Sequence, residues 1–464
     1  DRGVLRLTVQ LIDARTDRHL FAANYDRDPT HVLNLQSAVA RQVADALAPT
    51  LNSYERGELD RVATNNGDAY DRYLRAVAKY RRPVPNDDSG LVEPIRLLEE
   101  ALRFDPDYID ALALLSQAHT FLYQIHEHSE DRAKALQAAD RALAIDPHLP
   151  EARLARGLYA LLVPVDPGQA LTDLEPVVQL RPNSAMAHQV LGFALRRRGR
   201  SPEALPHFVR AWELDPLNHV YVRDPFWTLV GLRRYPEAIE QTKLWSKRFP
   251  DDVEAYWERG LLEGQLQHSV EPLRAFLRDH GNSLDPWFRW KTEAIIALWE
   301  GRYLDAIHLG DKAPTDDAAW NTTSIGFLYR AAGDAHNAEL NFRRAEQLGR
   351  AEVQREPRNS DARAHLALVE SMLGEHKAAL ATIEKTRTLV PEARDAMNAP
   401  RVSSIRSVIL VRAGYGAEGY AEAKRLLHVP FATPVDLLDI DDPVWFVAQD
   451  DPKYAEIIHD PPRL

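Results

Sequence analysis

The sequence predicts a mainly α-helical protein: a right-handed α-solenoid of paired helices, opened by a small β-hairpin plus helix that reads as the remnant of an α/β domain. Three observations carry this prediction. Residues 3–28 alternate apolar and polar side chains as strands do. Proline then recurs at a near-constant spacing through most of the chain, and the residues between those prolines read as helix.

The opening strands come first. In "LRLTVQLI", Leu5, Leu7, Val9 and Leu11 share one face, and Arg6, Thr8 and Gln10 take the other. "DARTDR" supplies polar turn residues, and "HLFAANY" is a second short strand. A lone hairpin is only marginally stable, so a further strand or a helix must pack on it. "DPTHVLNLQSAVARQVADAL" offers a helix, with Asp28 as N-cap, Pro29 at its first position, and Val32, Leu35, Val39, Val43 and Leu47 as its apolar stripe. Residues 1–64 are assigned to this unit, and the front half of the α/β domain is expected to precede it in a longer protein. Its exposed edge strand invites pairing with a second copy, a possible homodimer.

The repeat follows. Prolines stand at 106, 147, 182, 216, 250, 286, 357 and 391, with intervals of 41, 35, 34, 34, 36, 71 and 34 residues. The interval of 71 spans two units with one marker lost. A period near 34 matches the tetratricopeptide repeat, a helix–turn–helix unit, and the residues support the match. In one unit Leu191, Gly192 and Leu195 fill first-helix positions, while Ala204, Phe208, Ala211 and Pro216 fill those of the second helix. A later unit repeats the pattern with Ile325, Gly326, Tyr329, Gly333, Ala338, Phe342 and Ala345. Small residues let paired helices approach, large apolar ones fill the gap, and proline ends the second helix. The array is assigned to residues 65–430, as about nine to ten helix pairs. Residues 431–464 break the period, and there Trp445, Phe446, Tyr454, Ile457 and Ile458 are expected to cap its open end.

The bulk numbers exclude several functions. A formal charge of −12 over 464 residues argues against gripping nucleic acid or an anionic membrane. With no cysteine, thiolate metal sites, thiol nucleophiles and disulfides are excluded. No apolar run reaches the roughly 18 residues of a membrane span. Phosphate-cradling glycine loops, H-E-x-x-H and G-x-S-x-G are all absent. "HEH" at 126–128 is the nearest approach to a metal cluster, but its two imidazoles diverge on a helix and no third ligand lies nearby. No cofactor, metal or catalytic residue is therefore expected, and the chain is read as a non-enzyme.

A binding surface is predicted instead. First helices of such arrays line a concave groove, and the register places Leu158, Gln189 and Phe193 on it, together with Arg196 and Arg197 from the basic run "RRRGR". Further along come Trp257 and Leu261, then Lys291 and Ile295, then Trp320, Phe327 and Arg330. This surface reads apolar with a few cations, suited to a protein or peptide ligand: an apolar helix or extended segment, its acidic groups held by the arginines. Part of it could equally be covered by the chain's own ends.

A wider resemblance bears on context. The order strand–turn–strand–"YDRD"–helix, followed by "DAYDRYLRA" and "ALRFDPDYIDALALLSQAH", resembles the C-terminal half of bacterial membrane-anchored regulators, and so does the closing "DDPVWFVAQDDPKYAEII". In that family a TolB-like α/β domain precedes tetratricopeptide repeats. The front halves are CadC-type winged-helix domains, Ser/Thr kinases or class III adenylate cyclases. The resemblance implies a sensory or scaffolding role and favours a periplasmic location, with the cytoplasm as the alternative. It supplies no active-site residue.

Overall fold

The structure, a computed structural model, describes residues 5–13, 16–27, 39, 42–44, 52–58, 61–80, 88–310, 319–430 and 451–458. Most of the predicted helix over 28–47 lies outside the described residues, as do Trp445 and Phe446.

Strands β1 (Leu5–Asp13) and β2 (Arg18–Arg27) pair antiparallel, setting Val9 opposite Ala23 and Leu11 opposite Phe21, with an irregularity at Leu11/Ile12. The predicted alternation is visible in exposure: Val9 and Leu11 are half-buried, Thr8, Gln10 and Ile12 exposed. Tyr25 and Ala44 are buried and Tyr25 donates to Gln42, so part of the segment after β2 packs on the hairpin. A short helix α1 (Ser53–Glu58) follows.

Ten helix pairs come next among the described residues. They are α2 (Gly67–Lys79) with α3 (Ser89–Phe104), α4 (Ile109–His126) with α5 (Ser129–Ile145), and α6 (Pro150–Leu162) with α7 (Pro167–Leu180). Then come α8 (Ala185–Arg197) with α9 (Ser201–Leu214), α10 (His219–Gly231) with α11 (Tyr235–Arg248), and α12 (Val253–Gln267) with α13 (Glu271–His280). The last four are α14 (Pro286–Trp299) with α15 (Tyr303–Gly310), α16 (Ala319–Ala331) with α17 (Ala335–Arg355), α18 (Ser360–Met372) with α19 (His376–Leu389), and α20 (Ala399–Arg412) with α21 (Gly416–Leu426). A short α22 (Pro452–Ile458) ends the described chain.

The proline markers sit where helices must stop. Asp105, Asp146, Arg181, Asp215, Phe249, Glu356 and Val390 close second helices as C-caps, and each precedes a marker proline. Pro286 differs, opening α14 at its first position rather than ending the helix before it. The 71-residue interval does contain two helix pairs. The small-residue slots also do what the pattern requires. A Cβ on Gly192 would lie 2.7 Å from the Phe208 ring, and one on Gly326 2.8 Å from Phe342, so only glycine lets those helices meet.

The chain divides into two compact units, residues 1–191 and 192–464, with the boundary inside α8. In the first, Leu97, Leu98, Ala101, Tyr108 and Ala111 centre a core between α3 and α4. In the second, Phe226 and Trp245 anchor one cluster, and a larger one runs from Trp257 to Tyr454. Tyr454 is fully buried, its hydroxyl 2.6 Å from Ser407 Oγ, and Ile457 packs against the same cluster. No described helix is long and apolar enough to cross a membrane. The fold is a tetratricopeptide-repeat α-solenoid with a small N-terminal β-hairpin.

Candidate interaction surface

In the first unit, Leu158 and Gln189 are buried (2 % and 0 % exposed), so they join helices and offer no contact surface. The rim of this unit is instead crossed by its own N-terminal segment. Arg61 makes a two-pronged contact with Asp110 at 2.8 and 2.9 Å and a second with Glu58 at 3.0 Å. Glu58 continues to Arg181 at 3.0 Å, and Arg181 pairs with Glu151. Asn52 donates to the Leu180 carbonyl at 2.9 Å. Asp110 and Glu151 stand in the first turns of α4 and α6, so α1 is tied to two first helices through one ionic chain. Burial holds the Glu151 carboxyl above its ordinary range, an effect Arg181 opposes.

In the second unit Phe193 is half-buried and meets Phe208 edge-on at 5.1 Å. Arg196 covers both rings, at 5.0 and 5.3 Å, and burial disfavours its charge while Asp224 supports it. Arg197 does not face an open groove. It pairs with the buried Asp395 at 3.2 Å, and its carbonyl accepts from the Ala396 amide at 2.8 Å. Arg198 donates to the Ala393 carbonyl at 2.8 Å. One repeat later, the buried Arg233 donates to the Leu427 and Leu426 carbonyls at 2.8 and 3.3 Å. The basic turn predicted to hold an acidic partner therefore holds the chain's own 393–398 segment. The physical reason is plain: Asp395 supplies the carboxylate, at no translational cost.

Four further predicted residues are packing residues. Trp257, Leu261, Ile295 and Phe327 are each at most 7 % exposed and lie in the large core cluster, Phe327 edge-on to Phe342 at 5.3 Å. The rest stay half-buried on first helices. Lys291 lies over the Trp257 ring at 5.1 Å. Trp320 stacks on His365 with centroids 3.9 Å apart, while Arg401 lies 5.3 Å from the same indole. Arg330 reaches Met372 Sδ at 3.7 Å, and Arg412 reaches the Ser371 carbonyl at 3.4 Å. These contacts join first helices, α12 to α14 in one group and α16, α18 and α20 in another, where Arg401 of α20 reaches past α18 to Trp320 of α16.

His365, Arg401 and Asp395 escaped the sequence reading. His365 is fully buried in the interior of α18, and its Nε2 lies 2.8 Å from Thr323 Oγ1. Thr323 gives its own proton to the Ala319 carbonyl, so Nε2–H donates. Burial, aided by the Arg401 charge, pushes His365 down to about 3. A histidine as the sixth residue of a helix looks like any core position, and only the stack with Trp320 reveals its role.

No group of three or more histidines, aspartates or glutamates among the described residues could hold a metal ion. His126 and His128 stack on one another at 5.3 Å, and His126 pairs with Asp88 at 3.0 Å. Glu254 and Glu370 are raised by burial, but each faces an arginine, Arg223 or Arg350. Those pairs are structural ties between neighbouring helices.

No protein-family model matches the chain. A 96-residue stretch is 33 % identical to "Anaphase-promoting complex subunit 3" of Schizosaccharomyces pombe, covering 21 % of this chain and 14 % of that protein. A 113-residue stretch is 29 % identical to "Putative adenylate cyclase 3" of Rhizobium meliloti, covering 24 % and 19 %. The chain thus spans less than a fifth of the length of these curated relatives. Among solved structures, MamA from Desulfovibrio magneticus RS-1 is similar over 41 % of this chain and 99 % of its own, with 21 % identity and a TM-score of 0.31.

Proposed function

We propose that the chain is a non-catalytic protein–protein interaction module that binds an acidic, partly apolar peptide segment along the first helices of the second unit. The observation that carries this is a set of half-buried cations on first helices, each set on a large side chain: Lys291 over the buried Trp257, Arg330 at the buried Met372, and Arg401 beside the half-buried Trp320. Tryptophan and arginine are among the residue types that dominate interface energies, and guanidinium groups suit carboxylates. This moves the binding face away from Arg197, which the chain's own Asp395 holds, and from Arg196, which lies over Phe193 and Phe208.

In context, the reading is the sensory or scaffolding half of a bacterial membrane-anchored regulator. Its hairpin would be the end of a TolB-like α/β domain, and the likeness to an adenylate cyclase relative supports one of the three front halves that resemblance implies. The division into residues 1–64, 65–430 and 431–464 and the periplasmic location rest on the same reading. A homodimer through the hairpin is its companion, because β1 and β2 form a two-stranded sheet among the described residues and each has an open edge.

The test is selection from a random peptide display library on the purified chain. Enrichment of peptides carrying Asp or Glu next to apolar residues, lost with Lys291→Glu and Arg330→Glu, is expected. Enrichment that both variants leave untouched contradicts the reading.

A further inference from the structure

The pair α4/α5 in the first unit carries a cavity that the interaction reading does not use. Its origin is the composition of α5, which turns Ala135, Ala138, Ala139 and Ala142 inward. Ala138, whose methyl leaves space a larger side chain would fill, lines a cavity of about 260 Å³ between α3, α4 and α5.

Most of the cavity surface is apolar, supplied by Leu102, Leu112, Leu115 and Ala138. His119 breaks that pattern. Its side chain is 3 % exposed, and Nδ1 lies 2.7 Å from Asp131 Oδ1. Nε2 is buried and has no hydrogen-bond partner. Leaving such an atom unmet costs on the order of 1–3 kcal/mol, so an occupant that meets it is favoured. Since the Asp131 carboxylate can only accept, Nδ1 carries a proton, and in the neutral tautomer Nε2 presents a lone pair.

The rim sets the charge of that occupant. Lys134 lies one turn beyond Asp131, at the His119 end, where Glu130 holds it at 2.9 Å. Arg141 marks the opposite end, tied to Asp107 at 3.0 Å. Glu99 is also on the rim and faces Lys134, which disfavours more than one negative charge there. His119 and Leu112 are seven residues apart on α4, so the apolar stretch is about 10 Å long at 1.5 Å per residue.

We propose that this cavity binds a small monocarboxylic acid with an unbranched apolar body, its carboxyl group at His119 and Lys134. The octanoate ion is taken up together with one proton from solvent, the resulting O–H donates to Nε2, and Lys134 supports the second ligand oxygen. The hydrocarbon body runs over Leu115 and Leu112 toward Arg141 and packs on Ala138.

Calorimetric titration of the full chain with sodium octanoate tests this, with thermal melts as fold controls. One saturable site per chain is expected, weakened at least tenfold by Ala138→Phe, which fills the cavity. Lys134→Glu, a half-exposed position whose change should not disturb folding, should also weaken binding at least tenfold. Octanol should bind at least tenfold more weakly than octanoate. Absence of a saturable site, equal affinity in wild type and Lys134→Glu, or octanol binding as tightly as octanoate would each overturn the proposal.

Discussion

The two units fasten their rims in different ways. In the first, α1 is held by a chain of five charged side chains, Asp110–Arg61–Glu58–Arg181–Glu151, in which both arginines and Glu58 remain more than 20 % exposed. In the second, Arg197 and Arg233 grip Asp395 and backbone carbonyls, with Asp395 and Arg233 each 2 % exposed. Exposed ion pairs contribute little and are screened by salt. A buried pair that loses one member leaves an uncompensated charge. The first rim is therefore an adjustable edge and the second a fixed clasp.

The largest expected effect concerns acid. His365 binds protons less readily in the folded second unit than when unfolded, about 3 against 6.5. The unfolded chain thus takes up a proton first, and stability present above pH 6.5 is lost as pH falls toward 3. The loss is on the order of 4 kcal/mol. All nine tryptophans lie at or beyond residue 212, so intrinsic tryptophan fluorescence in urea titrations reports on the second unit alone. His365→Gln should flatten its pH dependence between 6.5 and 3, and an unchanged slope would break the assignment.

Next in size is the clasp. Asp395→Ala should destabilise the second unit by about 3 kcal/mol in the same fluorescence titration. A change below about 1 kcal/mol, within the range of surface pairs, would show that the clasp is no tighter than the first rim.

Gly326→Ala forces a Cβ against Phe342 and should cost about 2 kcal/mol through overpacking. Gly333→Ala meets nothing within 4 Å but must hold φ at 81°, which should cost about 1 kcal/mol. The reverse order would mean that turn strain outweighs helix contact in this repeat. The smallest effect belongs to the first rim. Arg181→Met, at the outer Glu58–Arg181 link rather than at the buried Asp110, should lower the local opening energy of α1 by about 1 kcal/mol, seen as faster hydrogen exchange over residues 53–58. Raising salt should speed the same amides in the wild-type chain and leave those around Asp395 unchanged.

Much of this architecture was readable from the chain itself. Proline spacing and the Gly192/Phe208 and Gly326/Phe342 slots marked the helix pairs, because close packing demands those residue types at fixed offsets. The hairpin showed in its period of two. The surface was harder to read. First-helix register separates inner from outer faces, yet it does not separate Phe327, which fills a core, from Trp320, which stays half-buried. The pairing of Arg197 with Asp395 joins residues 198 positions apart, and no local pattern announces it. His119 was equally hidden, since its partner Asp131 sits across a helix turn that the sequence marks only with polar residues.

The central claim is that partner binding lies on the Lys291–Trp320–Arg330 face and avoids the basic turn at 196–200. The direct measurement is fluorescence anisotropy of one labelled acidic peptide from the display selection, titrated against three chains. The account predicts at least a tenfold loss of affinity for the double variant Lys291→Glu/Arg330→Glu and wild-type affinity for Arg198→Glu. Loss confined to Arg198→Glu would contradict it and return the binding site to the basic turn.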